Sequence, residues 1–209
     1  MSPVKRQYDA TARRARAQKT YDHVVSTAGE LFLARGFSAT TVSEVVSSCG
    51  LSAEYVYKRF GSKAGLVRAV VARALEGEGP VSAETRSDAL ESADPMTLVE
   101  GWGRLVAEVA PRVAPVLLLL RAAAAQDPNL ATLADDLDES RRVRMAHNAL
   151  RLADGGHLRA GTDIEEATDV LWSLSSPELY DLLVVRSGWS PADYGDFVAR
   201  GIAGELLGP

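Results

Sequence analysis

Residues 40–63 have the sequence TTVSEVVSSCGLSAEYVYKRFGSK, and this stretch decides the fold. Thr41 and Glu44 stand three residues apart, which is the spacing of a helix capping box, and valines follow at helical spacing. Gly50 permits the left-handed backbone that ends such a helix, and Ser52 is a candidate N-cap for a second one. The segment therefore predicts two short helices joined by a tight turn, a helix-turn-helix.

The second helix of this motif carries residue types that contact DNA. In a helix-turn-helix the second helix lies in the major groove, and the first braces it against the backbone. The second helix offers small, aromatic and charged side chains, namely Ala53, Glu54, Tyr55, Tyr57, Lys58 and Arg59. Helix N-termini at Thr41 and Lys63 add backbone amides that bind phosphate. Two simpler interpretations stay open: Tyr57 packs only on the first helix of the domain, or the basic side chains are ordinary solvated charges.

Further helices are predicted on both sides of the motif. From about Gln18 to Arg35, apolar residues recur at spacings of three and four, and Gly36 then provides a stop. Another helix is predicted from about Lys63 to Leu75. The motif therefore belongs to a small helical domain.

Together with the first helix, the motif resembles the N-terminal domain of the TetR (tetracycline-repressor-like) family. The resemblance covers about residues 20–67. It rests on an ordered set of residues: Ala28, Leu31, Phe32, Gly36, Phe37, Thr40, Thr41, Val45, Gly50, Leu51, Ser52, Val56, Tyr57, Phe60, Ser62, Lys63 and Leu66. It implies a DNA-binding transcription factor whose C-terminal part forms a dimer and binds a small molecule.

The same resemblance implies individual roles. Thr41 is expected to bind a phosphate, residues 53–58 to contact bases, and Tyr57 and Lys63 to clamp phosphates. The complete predicted DNA-binding set is Thr40, Thr41, Ser52, Ala53, Glu54, Tyr55, Tyr57, Lys58 and Lys63. Tyr55 departs from the Thr or Ser that the family commonly has there, so the operator sequence cannot be carried over from relatives. Val46 and Cys49 likewise stand where the family usually has small alanines.

Charge is distributed unevenly along the 209-residue chain, whose formal net charge is -5. Residues 1–68 contain 11 Lys and Arg against 5 Asp and Glu, whereas the remainder contains 12 against 23. Such asymmetry is typical of a nucleic-acid-binding end attached to an acidic body. The alternative is that a small basic domain is merely well solvated.

The first residues are basic and have no apolar pattern, so residues 1–19 are predicted to form a flexible arm. The arm either follows the minor groove or serves as a solubilising tail. We accordingly expect a helix-turn-helix domain over residues 20–67 and a ligand-binding and dimerisation domain over residues 68–209.

The C-terminal part continues with helical periodicity and has no convincing strand pattern. Residues 76–94 are predicted to be a loop, and Pro177 is expected to kink the helix that contains it. Five helices are predicted, near 95–109, 112–125, 128–153, 163–187 and 191–207. The predicted fold class is all-α, with an N-terminal three-helix helix-turn-helix domain and a C-terminal helical bundle.

A homodimer is expected for two reasons. Residues 172–191 resemble a pattern near the end of many TetR-family members, where the last two helices pair with their copies in a second subunit. The interface predicted on this basis consists of Leu179, Leu182, Leu183, Tyr194, Phe197, Val198, Gly201, Ile202 and Leu206. Independently, two recognition helices about 34–36 Å apart fit successive major grooves, which predicts a roughly palindromic site. The alternative is that both helices only close their own core.

The middle helices are expected to enclose a small-molecule pocket. Its predicted wall consists of Trp102, Leu105, Val106, Val109, Leu118, Arg121, Met145, Asn148, Leu152 and Trp172. Each of these residues is alternatively plain core. Arg121 interrupts an apolar helix, so it either binds an acidic group of an effector or pairs with an Asp or Glu of the chain.

The function predicted from these features is that of a homodimeric repressor, released from a palindromic operator by a small-molecule effector. The alternatives are a transcriptional activator, a DNA-binding protein that senses nothing, a protein-interaction module and, remotely, a helical enzyme. The three histidines, His23, His147 and His157, form no metal-binding motif, and no phosphate loop occurs. We therefore predict no catalytic residue, metal or cofactor. The single cysteine, Cys49, suits the cytoplasm, and no apolar run suffices for a membrane span.

Overall fold

The computed structural model describes residues 3–90 and 94–208 of the chain. In these residues the secondary structure is helical, apart from one isolated antiparallel bridge between Leu158 and Leu207. The predicted all-α fold class is therefore confirmed. The chain divides into two compact units, Met1–Val70 and Val71–Pro209.

The first unit contains the predicted helix-turn-helix. Its helices are α1 (Pro3–Arg35), α2 (Val42–Cys49), α3 (Ala53–Phe60) and α4 (Lys63–Leu75), of which α4 continues past Val70 into the second unit. The structure has a helix over residues 3–19, where the sequence pattern predicts a flexible arm; residues 1 and 2 lie outside the described residues. Alanine, arginine, glutamine and lysine are strong helix formers, so this segment is helical without an apolar stripe.

An apolar core holds α2 and α3 in place. It is formed by Val24, Val25, Ala28, Phe32, Phe37, Val45, Val56, Leu66 and Val67, which are at most 2% exposed. The rings of Phe32 and Phe37 meet edge to face, with 4.7 Å between their centroids. Gly29 lets α4 approach α1 closely, because a Cβ atom there would lie 3.3 Å from Val70. The first helix thus packs against the whole motif.

Local capping bonds fix the turn between α2 and α3. The Thr41 hydroxyl accepts from the Glu44 N–H at 3.2 Å, and the Glu44 carboxylate accepts from the Thr41 N–H at 2.7 Å. Gly50 has φ 65°, and the Ser52 hydroxyl accepts from the Tyr55 N–H at 3.3 Å. The predicted capping box, helix stop and N-cap are all confirmed, so the sequence itself sets the position of α3.

The second unit is a bundle of longer helices. They are α5 (Ala83–Asp88), α6 (Pro95–Ala124), α7 (Pro128–Asp154), α8 (Ile164–Leu174), α9 (Pro177–Tyr180), a π-helix (Asp181–Arg186) and α10 (Pro191–Leu206). Helices α6 and α10 cross at Gly103 and Gly195, where a Cβ on either residue would press on the other's carbonyl oxygen. None of the helices in the described residues has both the length and the apolar character of a transmembrane segment.

Helix α6 is continuous, although the sequence predicts a break between 95–109 and 112–125. Pro111 and Pro115 both lie inside it. An internal proline removes a helical hydrogen bond and costs about 3 kcal/mol. The residues that follow, Val113, Ala114 and Val116, are buried, and this packing offsets the cost.

The region 163–187 is divided into three elements, although the sequence predicts one helix kinked at Pro177. Helix α8 ends at Leu174, and Pro177 is the first residue of α9, capped by the Ser176 hydroxyl, which accepts from the Leu179 N–H at 3.2 Å. Proline fits the first helical position because its missing N–H has no partner there. The chain therefore begins a new helix at Pro177.

The predicted loop over residues 76–94 contains α5, whose N-cap is Ser82; residues 91–93 lie outside the described residues. Arginines fasten this segment to the bundle. Arg86 pairs with Glu108 of α6 at 2.8 Å, and Arg144 of α7 contacts Asp88 at 2.7 Å. These ion pairs fasten α5 to α6 and α7.

Candidate functional site

One face of α3 points to solvent. Val56 is 1% exposed and faces the core, whereas Ala53, Glu54, Tyr57 and Lys58 are exposed. The Tyr57 ring is 54% exposed, which is unusual for a large aromatic side chain. Tyr57 therefore has free surface that a partner can contact, beyond any packing on α1.

The remaining side chains of α3 are partly engaged within the first unit. Tyr55 is half-buried. The Arg59 guanidinium lies 4.7 Å from the centre of the Tyr21 ring, and Tyr21 stacks on Phe60 with 5.3 Å between centroids. Arg59 thus stabilises the contact between α1 and α3 although it is exposed, as Lys58 is.

Thr40 was expected among the DNA-contacting residues, and the structure places it in the core instead. Its side chain is 0% exposed, and its hydroxyl lies 2.9 Å from the Gly36 carbonyl and 3.2 Å from the Leu31 carbonyl. A buried hydroxyl must be hydrogen-bonded inside the protein, and Thr40 meets this need by fastening the end of α1. We therefore remove Thr40 from the candidate interface.

The N-terminus of α2 remains exposed at Thr41. The backbone and side chain of Thr41 donate hydrogen bonds to Glu44 and lower the pKa of that carboxyl below its ordinary value. Arg35 also contacts Glu44, at 3.4 Å, and joins the end of α1 to α2. The capping carboxylate therefore stays ionised at neutral pH and keeps the first turn of α2 rigid.

Lys63 begins α4 and is half-buried. Its ammonium group donates a hydrogen bond to the Phe37 carbonyl, which fixes the direction of the side chain. Gly65 in the same turn allows α4 to follow α3 closely, because a Cβ there would overlap the Phe60 carbonyl. The predicted phosphate contact of Lys63 stays a prediction.

The candidate interface therefore consists of the exposed residues Thr41, Ser52, Ala53, Glu54, Tyr57 and Lys58, with Tyr55 and Lys63 at its edge. The N-termini of α2 and α3, at Val42 and Ala53, begin next to exposed capping residues, and a third N-terminus, that of α4, begins at Lys63. Residues 24–70, which contain this whole interface, match the sequence model of the family described as bacterial regulatory proteins, tetR family. Residues 24–70 of the chain therefore carry the DNA-binding sequence of the TetR family.

A curated relative agrees with this assignment. The HTH-type transcriptional regulator AlkX of Mycobacterium tuberculosis H37Rv is 37% identical over 73 residues, which is 35% of this chain. The match spans 33%, about a third, of the length of that relative.

Solved structures share the fold over nearly the whole chain. A TetR-family regulator from Rhodococcus sp. has a TM-score of 0.70 and 16% identity, with 90% of this chain and 99% of that chain covered. The structure of SmeT with triclosan has a TM-score of 0.69 and 17% identity, with 90% and 92% covered. At these identities the likeness shows that the second unit shares the fold of these structures, and it shows nothing about ligands or partners.

The predicted ligand-pocket residues fall into two groups in the second unit. Trp102, Asn148 and Leu152 are at most 6% exposed and belong to the packed interior. The others are half-buried: Leu105, Val106, Val109, Leu118, Arg121, Met145 and Trp172. Among the described residues no group of three His, Cys, Asp or Glu is placed to hold a metal ion. The pocket wall stays a prediction.

Arg121 pairs with carboxylates of its own chain. Its guanidinium contacts both Asp138 oxygens, at 2.6 and 2.7 Å, and also contacts Glu178. The alternative that Arg121 pairs with an Asp or Glu is therefore confirmed. Two carboxylates already neutralise its charge, so Arg121 is a poor candidate for binding an acidic effector.

Sequence reasoning missed a second arginine, Arg141 of α7. Its guanidinium lies 4.8 Å from the centre of the Trp172 ring and donates to the Trp172 carbonyl and to the Ser175 hydroxyl, the latter at 3.2 Å. Burial lowers the pKa of Arg141, an effect that the negative charge of Asp138 partly offsets. No sequence pattern indicates this contact, because α7 is rich in charged residues and Arg141 interrupts no apolar run.

The predicted dimer residues are largely committed to the core of their own chain. Tyr194, Val198, Ile202 and Leu206 are at most 3% exposed, and the Tyr194 hydroxyl donates to the Leu174 carbonyl at 3.2 Å. Burial raises the pKa of Tyr194 to about 12. Gly201 faces the Leu174 side chain. For these five residues the alternative holds: α10 buries that face against α6 and α8.

The outward side of the same region is apolar. Leu182 is 51% exposed, Val185 62% and Trp189 36%; Leu179, Leu183 and Phe197 are half-buried behind them. We name Leu182, Val185 and Trp189 the outer apolar face. A shallow pocket of about 400 Å³ adjoins it, lined by Gly188, Trp189, Asp193, Asp196 and Arg200.

Proposed function

We propose that this chain is a homodimeric repressor that binds a palindromic operator and leaves it when a small molecule binds the second unit. The observation that carries the proposal is the exposed face of α3, with Tyr57 and Lys58 on a helix whose cap and turn are fixed. The family assignment makes a transcriptional regulator the coarse conclusion. To this conclusion the proposal adds that the regulator represses, forms a dimer and is released by an effector.

DNA contact in this proposal uses the helix N-termini at Thr41 and Lys63 together with the α3 side chains. Phosphates bind at Thr41 and near Lys63, while Glu54 and Tyr55 face base edges. Glu54 repels phosphates and accepts a hydrogen bond from a cytosine amino group. It therefore contributes more to sequence specificity than to affinity. Most of the affinity comes from phosphate contacts, and it therefore falls steeply with salt.

Dimerisation in this proposal uses the outer apolar face. Three large apolar side chains at one place on a soluble surface mark an interaction site, and the occupant proposed here is a second copy. Asp193, Asp196 and Arg200 at its rim carry both signs of charge, which suits a self-complementary contact.

Release by an effector requires a link between the two units. Helix α4 is continuous from Lys63, beside the candidate interface, to Leu75 in the second unit. A molecule that binds one arrangement of the second unit better than another changes DNA affinity through this helix, with a coupling of about 1–3 kcal/mol. The structure of SmeT with triclosan offers a precedent for a small molecule held by this fold.

Selection from random duplex DNA tests the proposal. The full chain, immobilised through a C-terminal tag, is expected to enrich a palindrome whose half-sites lie about one helical turn apart. The matched variant Tyr57→Ala is expected to enrich no sequence. Enrichment of the same palindrome by both proteins contradicts the role of α3.

A reporter gene under the enriched palindrome distinguishes the rival functions. Deletion of the regulator raises expression for a repressor and lowers it for an activator. A DNA-binding protein that senses nothing represses equally under every added compound. A protein-interaction module leaves the reporter unchanged in all conditions.

A further inference from the structure

Four buried hydrogen-bond donors in the second unit have no acceptor among the described residues: Arg86 Nε, Trp102 Nε1, Arg141 Nε and Trp172 Nε1. The last two, on α7 and α8, belong to side chains that contact each other. Buried donors in folded proteins are nearly always paired, so each unpaired donor requires an explanation. Both atoms here can only donate, which restricts any missing partner to an acceptor.

The two donors belong to one fixed pair of side chains. The Arg141 guanidinium carbon lies 4.8 Å from the centre of the Trp172 ring. Its Nη1 donates to the Trp172 carbonyl and the Ser175 hydroxyl and its Nη2 donates to Asp138, so the guanidinium plane cannot rotate freely. The two unpaired donors therefore belong to side chains in direct contact, one of which is held in place.

The carboxylate that pairs with Arg141 is shared with a second arginine. Both oxygens of Asp138 contact Arg121, at 2.6 and 2.7 Å, and one of them also accepts from Arg141 at 3.4 Å. The Arg141 side chain is 15% exposed, so water does little to stabilise its charge. An anion beside Arg141 would add to this shared compensation.

We propose that Arg141 Nε and Trp172 Nε1 bind the carboxylate of an acidic effector that has an apolar body. One carboxylate has two acceptor oxygens, so it satisfies both donors and compensates the charge together. Met145, one turn after Arg141 on α7 and half-buried, would contact the apolar body. The inference rests on the proposed function, because it names the chemical class of its effector.

Indole N–H resonances measure this binding directly. The full chain is labelled with ¹⁵N-tryptophan, the Trp172 resonance is identified with Trp172→Phe, and benzoate and decanoate are titrated against the matched neutral benzamide and decanamide. Decanoate or benzoate is expected to shift the Trp172 resonance downfield and saturably, while the Trp189 resonance stays in place. The amides are expected to bind at least about tenfold more weakly, because they lack the charge.

Three variants separate binding from a merely structural role. Trp172→Phe keeps the ring and removes the donor, so it is expected to keep the thermal midpoint and weaken carboxylate affinity about fivefold in calorimetry. Arg141→Gln is expected to weaken it about tenfold or more. Arg142→Gln is the matched control: its guanidinium lies 5.8 Å from the same ring but pairs with Asp169, and affinity should not change.

Three results overturn the inference: no saturable Trp172 shift with either carboxylate, equal binding of the amides, or wild-type affinity in Trp172→Phe. Binding of the unliganded full chain to the selected palindrome is measured in parallel. Loss of that activity refutes the regulator while leaving the carboxylate site intact. Retained DNA binding without carboxylate binding refutes the site alone.

Discussion

The two units use their charged side chains in opposite ways. In the first unit Glu54 and Lys58 extend into solvent from α3. In the second unit arginines point to neighbouring helices, as Arg86 does to Glu108 and Arg121 does to Asp138. These charges of α3 are therefore available to a partner, whereas these arginines of the second unit hold helices together. Substitutions in the two units should accordingly separate DNA affinity from stability.

The largest expected effect is on DNA affinity, in Tyr57→Ala combined with Lys63→Ala. The pair removes two predicted phosphate contacts per subunit, so affinity for the selected palindrome should fall by roughly a hundredfold or more at 0.1 M salt. The slope of log affinity against log salt should become shallower by about 2 in a dimer, since each lost charge contributes about 0.9. Fluorescence anisotropy over a salt series measures both quantities.

Leu33→Ala is the control for this pair, because Leu33 is also an exposed apolar residue, 50% accessible on α1. It should leave affinity and slope as in the wild type. Equal losses in the control and the double variant would mean that α3 has no special part in binding.

A charge in the outer apolar face should weaken dimerisation by at least about tenfold. Val185→Asp would bury two unpaired carboxylates in a symmetric interface, one from each subunit. Light scattering with size exclusion should show monomers at low micromolar concentration. Val143→Asp, at an equally exposed valine of α7, is the matched control and should stay dimeric. Dimers in both variants would place the interface elsewhere.

Thr40→Val should affect stability and leave DNA binding unchanged. The substitution removes the hydroxyl that contacts the Leu31 and Gly36 carbonyls, and the free energy of unfolding should fall by about 1–3 kcal/mol. Urea unfolding measures the loss, and anisotropy well below the midpoint measures affinity. Thr41→Val is the contrast, with a loss of about 1 kcal/mol from the cap and weaker DNA binding. Weaker DNA binding by folded Thr40→Val would restore Thr40 to the interface.

In the second unit, Arg121→Gln should cost roughly 1–2 kcal/mol of unfolding free energy, since the three partners are only partly buried. Its DNA affinity without effector should not change. Arg104→Gln removes a surface pair with Glu100 at 3.9 Å, both side chains being more than half exposed, and should cost less than about 0.5 kcal/mol. Equal costs in the two variants would contradict a holding role for Arg121.

The smallest expected effect is on acid stability. The Arg86 guanidinium, hydrogen-bonded to Glu108, lowers the pKa of that carboxyl below its ordinary value. The unfolded state therefore binds the proton more tightly, so this stabilisation is present above the ordinary carboxyl pKa and is lost as pH falls below about 4.5. Glu108→Gln should have a shallower decline of unfolding free energy between about pH 5 and 3. Identical declines would show that the pair contributes nothing.

The first unit could be predicted closely because its signals are local. The capping box of Thr41 and Glu44, the left-handed turn at Gly50 and the cap at Ser52 each act within a few residues. The exceptions depend on tertiary contacts. The position of Thr40 in the sequence is compatible with an exposed helix start and with a hydroxyl buried in the core. Its hydrogen bond to α1 shows that the hydroxyl is buried.

The second unit could be predicted only in outline, because helix partners decide its sites. An apolar stripe on α10 fits an interface or a core equally, and the crossing at Gly103 and Gly195 turns it inward. Arg121 is recognisable in the sequence because it interrupts an apolar run. Arg141 is not, because the contact that distinguishes it is with Trp172 on another helix.

Sedimentation of the full chain with the selected duplex tests the central claim most directly. The account predicts two chains on each palindrome, one chain or none on a single half-site at the same concentration, and no complex with Tyr57→Ala combined with Lys63→Ala. A wild-type protein that sediments as a monomer and leaves every duplex free at low ionic strength would contradict it.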